Sequence, residues 1–241
     1  KRLPLEIWFP VDFATSPRLY YAMYVYVVLG VAVGAFSNGV IDPLIAGLAY
    51  HATTQLKILK NNLQFLSEDA DELISQNDCV EKEWLRTKII YEKIRLCIKH
   101  HNAILDFVQT YERVYSGVVF CQFVASVFVI CICCLYLTIV EPFSVIFFSM
   151  IIFLMTMLGE IFLYCYYGTL LFEENNSLTN TVYMGEWYKY DVASRKALII
   201  LMERSKKPMI VTAGKILDLS LVTFTTILRR AYSLLAVLKN Y

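Results

Sequence analysis

Gly117–Val140 reads GVVFCQFVASVFVICICCLYLTIV, a run without a single charged side chain. A bilayer core about 30 Å thick is crossed by roughly 20 apolar residues in a helix. Lipid leaves no partner for free backbone groups, so a run of this kind must be helical. Working outward, Phe143–Phe172 is a second such run with one charge, Glu160. A third extends from Leu19 to Tyr50, interrupted at Asn38 and at Asp42-Pro43. A fourth, weaker run covers Ile216–Leu238 and carries Asp218, Arg229 and Arg230. Its polar residues are interleaved with apolar ones, as in a helix with lipid or protein on one side and water on the other. The simpler alternative is an amphipathic helix lying on the membrane surface.

Composition agrees with a membrane class. Hydrophobic residues make up 58% of the chain and charged residues 18%, against about 45–50% and 25% in soluble domains. A net charge of +1 leaves no electrostatic footprint for nucleic acid, and no long basic block is present. Cys121, Cys131, Cys133, Cys134 and Cys165 lie inside apolar runs and Cys97 in a helical stretch, and the cluster Cys131, Cys133, Cys134 has no His or carboxylate companion at zinc spacing. They read as small packed residues, so neither a disulfide framework nor a metal site is expected. His51, His100 and His101 lack metal spacing, and no catalytic motif occurs, so no enzyme activity and no cofactor are expected.

Charge placement orients the spans. Lys57, Lys60, Lys82, Arg86, Lys88, Lys93, Arg95, Lys99 and Arg113 fall between the first and second runs. Lys189, Arg195, Lys196, Arg204, Lys206, Lys207 and Lys215 fall between the third and fourth, and the short link between the second and third has none. Cytoplasmic loops are the ones rich in Lys and Arg, so both long connections are expected inside and both chain ends outside. The first connection is not a loose loop. Leu56, Leu59, Leu63 and Leu66, then Leu85, Ile89 and Leu96, recur at helical spacing, which predicts two helices with a turn near Ser75-Gln76-Asn77-Asp78. Glu186–Lys207 reads as a further helix ending at Pro208.

The expected fold is therefore all-α, a polytopic membrane helical bundle whose long helices extend into a cytoplasmic anchor layer. Its expected segments are an outer loop (1–18), a span (19–50), a cytoplasmic helical hairpin (51–115), two spans (116–140 and 143–172), a cytoplasmic anchor helix (173–215), a last span (216–238) and an outer end (239–241). Asn175-Asn176-Ser177 is a glycosylation sequon on the predicted inner side, where it stays unmodified.

The last third of the chain carries a family likeness. Glu160–Asn175, EIFLYCYYGTLLFEEN, is followed by Trp187-Tyr188, Arg195-Lys196, Met202-x-Arg204-x-x-Lys207-Pro208 and Ala213-Gly214. Then come Leu219-Ser220-Leu221-x-Thr223-Phe224-x-x-Ile227-Leu228 and Ala231-Tyr232-Ser233, with Leu235 and Leu238 beyond. In this order the pieces resemble the sixth span, final cytoplasmic helix and seventh span of insect odorant receptors. Leu3-Pro4 and Trp8-Phe9-Pro10-x-Asp12 resemble the outer loop before the family's fourth span.

The resemblance implies spans four to seven of a seven-span receptor, a fragment lacking the first three, with the outer C-terminus that charge counting gives independently. It implies a subunit of a ligand-gated, non-selective cation channel in the plasma membrane of olfactory neuron dendrites. The end AYSLLAVLKNY differs from that of the family's co-receptor, so the chain is expected to be the odorant-tuning subunit, paired with the co-receptor in a hetero-tetramer. Small volatile odorants and membrane lipid are the other implied partners. The fourth run supplies Thr223, Thr225, Thr226 and Ser233 for a wet pore face. The family's gate falls at Leu235 and Leu238, with Lys239 near the outer mouth, where it would oppose cation access unless it points away. The odorant pocket is expected to involve Tyr24 and Val28 from the first run and Phe147, Met150, Ile151 and Leu154 from the third. Glu160 is expected to pair with Arg229 or Arg230, to sit protonated, or, as the favoured reading, to take a structural hydrogen bond.

Two other readings are weaker. A gustatory-type receptor channel would end in a different motif from Ala231-Tyr232-Ser233. A secondary transporter would show a second helix break to match Asp42-Pro43, and none recurs.

Overall fold

The computed structural model describes residues 17–75 and 82–239. Six α-helices carry the described chain: α1 (Pro17–Gln64), α2 (Leu66–Ser75), α3 (Lys82–Ile139), α4 (Val145–Met184), α5 (Val192–Ser205) and α6 (Leu221–Lys239). A 3-10 turn, Trp187–Lys189, precedes α5. The short strands β1 (Thr212–Ala213) and β2 (Leu217–Asp218) pair antiparallel before α6.

At 1.5 Å per residue, the 58 residues of α3 extend about 87 Å, far more than a bilayer's hydrocarbon. One helix must therefore serve both as a span and as a strut outside the membrane. By length and composition α1, α3 and α4 are the described helices able to cross a membrane, and α6 is not among them. The outer loop expected over residues 1–18 falls almost wholly outside the described residues, as do the predicted turn at Gln76-Asn77-Asp78 and the chain end.

Two compact bodies divide the chain at Ile45. The first holds the opening part of α1. It exposes Tyr21, Val25, Leu29, Val33 and Phe36, a surface suited to lipid. Tyr20 and Tyr24 lie one turn apart with ring centroids 6.2 Å apart. Pro43 sits inside α1 without ending it. The expected interruption at Asp42-Pro43 is thus a proline within a continuous helix, at the cost of one backbone hydrogen bond.

The second body, residues 46–241, has a core with coiled-coil periodicity. Along α3 the buried positions are Ile90, Ile94, Cys97, His101, Ile104, Val108 and Tyr111, alternating steps of four and three. That 3.5-residue repeat keeps one seam facing its neighbours over a long helix. Leu56, Leu59 and Leu63 of α1 and Leu66 and Ala70 of α2 are buried likewise, so that part of the leucine spacing also forms the core, whereas on α3 the seam runs through Ile90, Ile94 and Cys97 and leaves the expected Leu96 exposed. Each such aliphatic burial is worth about 1.5–3 kcal/mol.

The buried residues of α4 all lie from Ile161 onward. Its first four turns expose Ile146, Phe148, Ile152 and Met155, apolar side chains that only lipid or another protein surface can cover. Helix ends follow local chemistry. Ser144 caps α4, its Oγ accepting from the Phe147 N–H at 3.1 Å. Asp191 caps α5, accepting from the N–H groups of Ala193 and Ser194 at 3.0 and 3.3 Å. The helix predicted over Glu186–Lys207 is α5, shorter because Asp191 starts it and Gly185 ends α4, and the start of the expected 173–215 segment belongs to α4.

Candidate pore-lining site

The weak fourth run does not become one helix from Ile216. Gly214 and Lys215 both hold positive φ, 62° and 59°, and the Ile216 N–H closes the turn on the Ala213 carbonyl at 3.2 Å. Paired residues at positive φ favour a tight hairpin turn, so 212–218 fold back on themselves. The helix begins only at Leu221, where Ser220 Oγ accepts from the Thr223 N–H at 3.2 Å. The Leu221 N–H donates to Thr169 Oγ1 of α4 at 2.9 Å.

The hairpin is held on two sides. Its Gly214 N–H donates to the Ser116 carbonyl of α3 at 2.9 Å, and Thr212 donates to Glu112. A side chain on Gly214 would meet the Phe120 ring at 2.7 Å. On the α4 side, a Cβ on Gly168 would overlap the Leu219 carbonyl oxygen and lie 2.8 Å from Leu219 Cβ. The start of α6 is thereby fixed to both α3 and α4.

The exposed face of α6 is its polar one. Val222, Thr225, Thr226, Arg229, Arg230, Ser233 and Ala236 are exposed, and their three- and four-residue spacing puts them on one stripe. Phe224, Ile227, Leu228 and Ala231 are partly covered. The lipid-length parts of α3 and α4 do the reverse, exposing Val118, Val124, Phe128 and Ile132, and Ile146, Phe148 and Ile152. An arginine at the centre of a lipid-facing helix costs about 2.5–3.5 kcal/mol. A stripe with Arg229, two threonines and a serine, and with Arg230 at its edge beside α3, is therefore built for water or for a neighbouring protein. Of the polar residues expected on this face, Thr225, Thr226 and Ser233 are on it. Thr223 instead belongs to the cap, its Oγ1 3.1 Å from Ser220 Oγ. Arg229, four residues after Thr225 and four before Ser233, lies on the same stripe. The side chains of Leu235, Leu238 and Lys239, expected at the gate and outer mouth, lie outside the described residues.

Phe147, Met150, Ile151 and Leu154 fall on one face of α4 and are each partly covered, while Ile146, Phe148, Ile152 and Phe153 are exposed. Tyr24 and Val28 lie one turn apart on α1 and are exposed. Glu160, the acid within a span, accepts from Gln122 of α3. Asn175, first residue of the sequon, is 1% exposed. Its Nδ2 donates to the carbonyls of Ser205 and Lys207, both at 3.3 Å. Its side chain ties α4 to the end of α5 and is closed to a glycan.

The layer beside the span segments is latched by charge. Lys60 of α1 reaches Glu174 of α4 at 2.5 Å and Ser177 at 2.8 Å. Arg86 grips Asp71 with two bonds, 2.6 and 3.2 Å, which holds the Asp71 carboxyl below the usual range. That pair is exposed, so it contributes little. Burial pushes the Cys97 thiol up to about 11, so it is a packed, inert group.

His101 is 1% exposed, and neither ring nitrogen has a partner among the described residues. Burial, then the positive charges of Arg204 and His100, hold its pKa below the ordinary imidazole value. Below about pH 6.5 the unfolded chain takes up a proton that the folded one refuses, so stability falls as pH drops toward the folded value. We expect the purified protein to lose melting temperature between pH 7.5 and 5.5. His101→Leu should remove much of that loss without lowering stability at pH 7.5, because a neutral, unpartnered ring is replaced by an apolar side chain. An unchanged pH profile in the variant would remove His101 from this role.

A chain of long apolar helices, a coiled-coil-like layer and one helix with an exposed polar stripe belongs to the class of polytopic α-helical membrane proteins. The profile of the 7tm odorant receptor family matches residues 1–232, and the chain is a member of that family. Odorant receptor Or1 of Anopheles gambiae is 28% identical over 253 residues, covering 100% of this chain and 60% of its own length. Odorant receptor 94a of Drosophila melanogaster is 28% identical over 242 residues, covering 99% and 58%. The fold is similar to that of the insect olfactory receptor OR5 from Machilis hrabei in complex with eugenol, with a TM-score of 0.78 at 17% identity over 98% of this chain and 56% of that one. The chain thus spans about three-fifths of the length of the relatives it matches.

Proposed function

We propose that this chain is the pore-forming and part of the ligand-binding portion of an odorant-tuning subunit in a ligand-gated, non-selective cation channel. The observation that carries the reading is the exposed polar stripe of α6, beside helices whose exposed faces are apolar. The four-fold assembly with a co-receptor, the plasma membrane of olfactory dendrites as its place, and the cytoplasmic side for residues 51–115 and 173–215 belong to the same proposal. The segment bounds follow: α1, α3, α4 and α6 cross the membrane, and both chain ends are outside. Family membership and the differing C-terminal motif support an odorant-tuning subunit over a gustatory-type receptor. The unbroken α1 supports a channel over a secondary transporter.

Phe147, Met150, Ile151 and Leu154 are proposed to line the odorant pocket, and Tyr24 and Val28, in the other body, are proposed separately as ligand contacts. An apolar, aromatic-rich surface suits small volatile ligands through shape and burial, and the OR5 relative is described with eugenol, a ligand of that size. Leu235 and Leu238 are the proposed aliphatic constriction, which closes by excluding water.

The test is odorant-evoked current from the full receptor co-expressed with the co-receptor. No current across a broad odorant panel, with the protein at the surface, contradicts the reading. Leu235→Asn is expected to raise basal leak several-fold, because a polar ring wets the constriction. An unchanged baseline removes Leu235 from the gate. Labelling of an epitope at Tyr241 in intact cells tests the orientation; protection of that epitope until permeabilisation contradicts it.

A further inference from the structure

Two arginines follow each other near the middle of α6, and the helix turns them in different directions. Arg230 lines the apolar groove of about 380 Å³ between α3 and α6, together with Phe123, Val127, Thr226 and Ile227. Arg229 is absent from that groove. It stands near the centre of the exposed stripe, with Thr225 and Thr226 one turn before it and Ser233 one turn after. Eight residues beyond the helix start at Leu221, it lies about 12 Å along an axis about 28 Å long. A fixed positive charge therefore occupies the middle of the face proposed to meet permeating cations.

We propose that Arg229 is a charge-selectivity determinant of the conduit, disfavouring divalent over monovalent cations, with a strength set by the number of copies of this subunit around the pore. This rests on the pore reading of α6. In water, a unit charge about 6 Å from the axis lowers monovalent occupancy roughly threefold and divalent occupancy by about the square of that. Each copy of Arg229 should thus lower the calcium-to-sodium permeability ratio by roughly threefold, less at high ionic strength. A ring made wholly of this subunit would multiply the penalty, which favours partners that carry no cation at the matching position. Arg230, turned toward α3, has no such effect.

The experiment uses the full receptor with its co-receptor and reads odorant-evoked reversal potentials in sodium and in calcium solutions. Arg229→Gln should raise the calcium-to-sodium ratio roughly threefold, Arg229→Glu should raise it further, and Arg229→Lys should keep the parent value. Arg230→Gln should leave the ratio unchanged. Robust current with the same ratio in the parent, Arg229→Gln and Arg229→Glu would overturn the inference while leaving the channel reading intact. An effect of Arg230→Gln equal to that of Arg229→Gln would also overturn it, by assigning the charge effect to the wrong face. Absence of current in the parent, with the protein at the surface, would instead defeat the channel reading itself. Should Arg229→Glu fail to reach the surface, Arg229→Cys treated with a cationic or an anionic thiol reagent supplies both charges after folding. Opposite shifts in the ratio are expected, and equal ones contradict the proposal.

Discussion

Gly168→Val is expected to abolish surface expression of the receptor. The α4 backbone at Gly168 lies against the backbone of Leu219, where even a methyl group would overlap the carbonyl oxygen. Neither side can yield cheaply. Gly168 is in the middle of α4, and Leu219 is fixed by its N–H to the Val211 carbonyl at 2.9 Å. Overpacking of a tight core costs about 1–3 kcal/mol, and more where the neighbour is backbone. A receptor of ordinary marginal stability can be lost to a change of that size. Gly168→Ala should be milder, with reduced expression and an altered opening threshold, since α6 would be pushed from α4. Normal expression and current in both variants would show that α4 and the hairpin do not meet at this point.

Gly214→Val should be nearly as severe for two separable reasons. At φ 62° a side chain costs about 1–2 kcal/mol in the left-handed region, more for a β-branched residue. It would also strike the Phe120 ring of α3 at 2.7 Å. A cycle of Gly214→Ala, Phe120→Ala and the double variant divides the two. The double variant should recover the crowding component and keep the φ component. Thermal stability of purified protein is the readout. Strict additivity would mean that Gly214 and Phe120 do not touch.

Much of this architecture is legible in the chain. The charge-free run Gly117–Val140 shows a membrane helix because lipid leaves no other backbone solution. The leucine spacing of Leu56–Leu66 gives the helical layer because long helices need a repeating seam. What could not be read is where elements stop. The Ile216 boundary failed because hydropathy is indifferent to backbone φ, and the hairpin is set by Gly214 and Lys215 at positive φ. The predicted Glu186–Lys207 helix was overlong because Asp191 acts as a cap. Glu160 was expected to pair with Arg229 or Arg230, to sit protonated, or, as the favoured reading, to take a structural hydrogen bond. It accepts from Gln122, a residue 38 positions away, which no local pattern identifies. Arg229 shows the opposite case. Its spacing to Thr225 and Ser233 places it on the polar side of the fourth run from the sequence alone.

The proposed channel requires the polar stripe of α6 to face water inside a conduit. Single cysteines placed along α6 of the full receptor, probed with a charged thiol reagent during odorant-evoked current, test it most directly. Modification and current change are expected at Thr225, Thr226, Arg229 and Ser233, with Phe224, Leu228 and Ala231 protected. Reactivity confined to the apolar positions, or spread evenly around the helix, would contradict it.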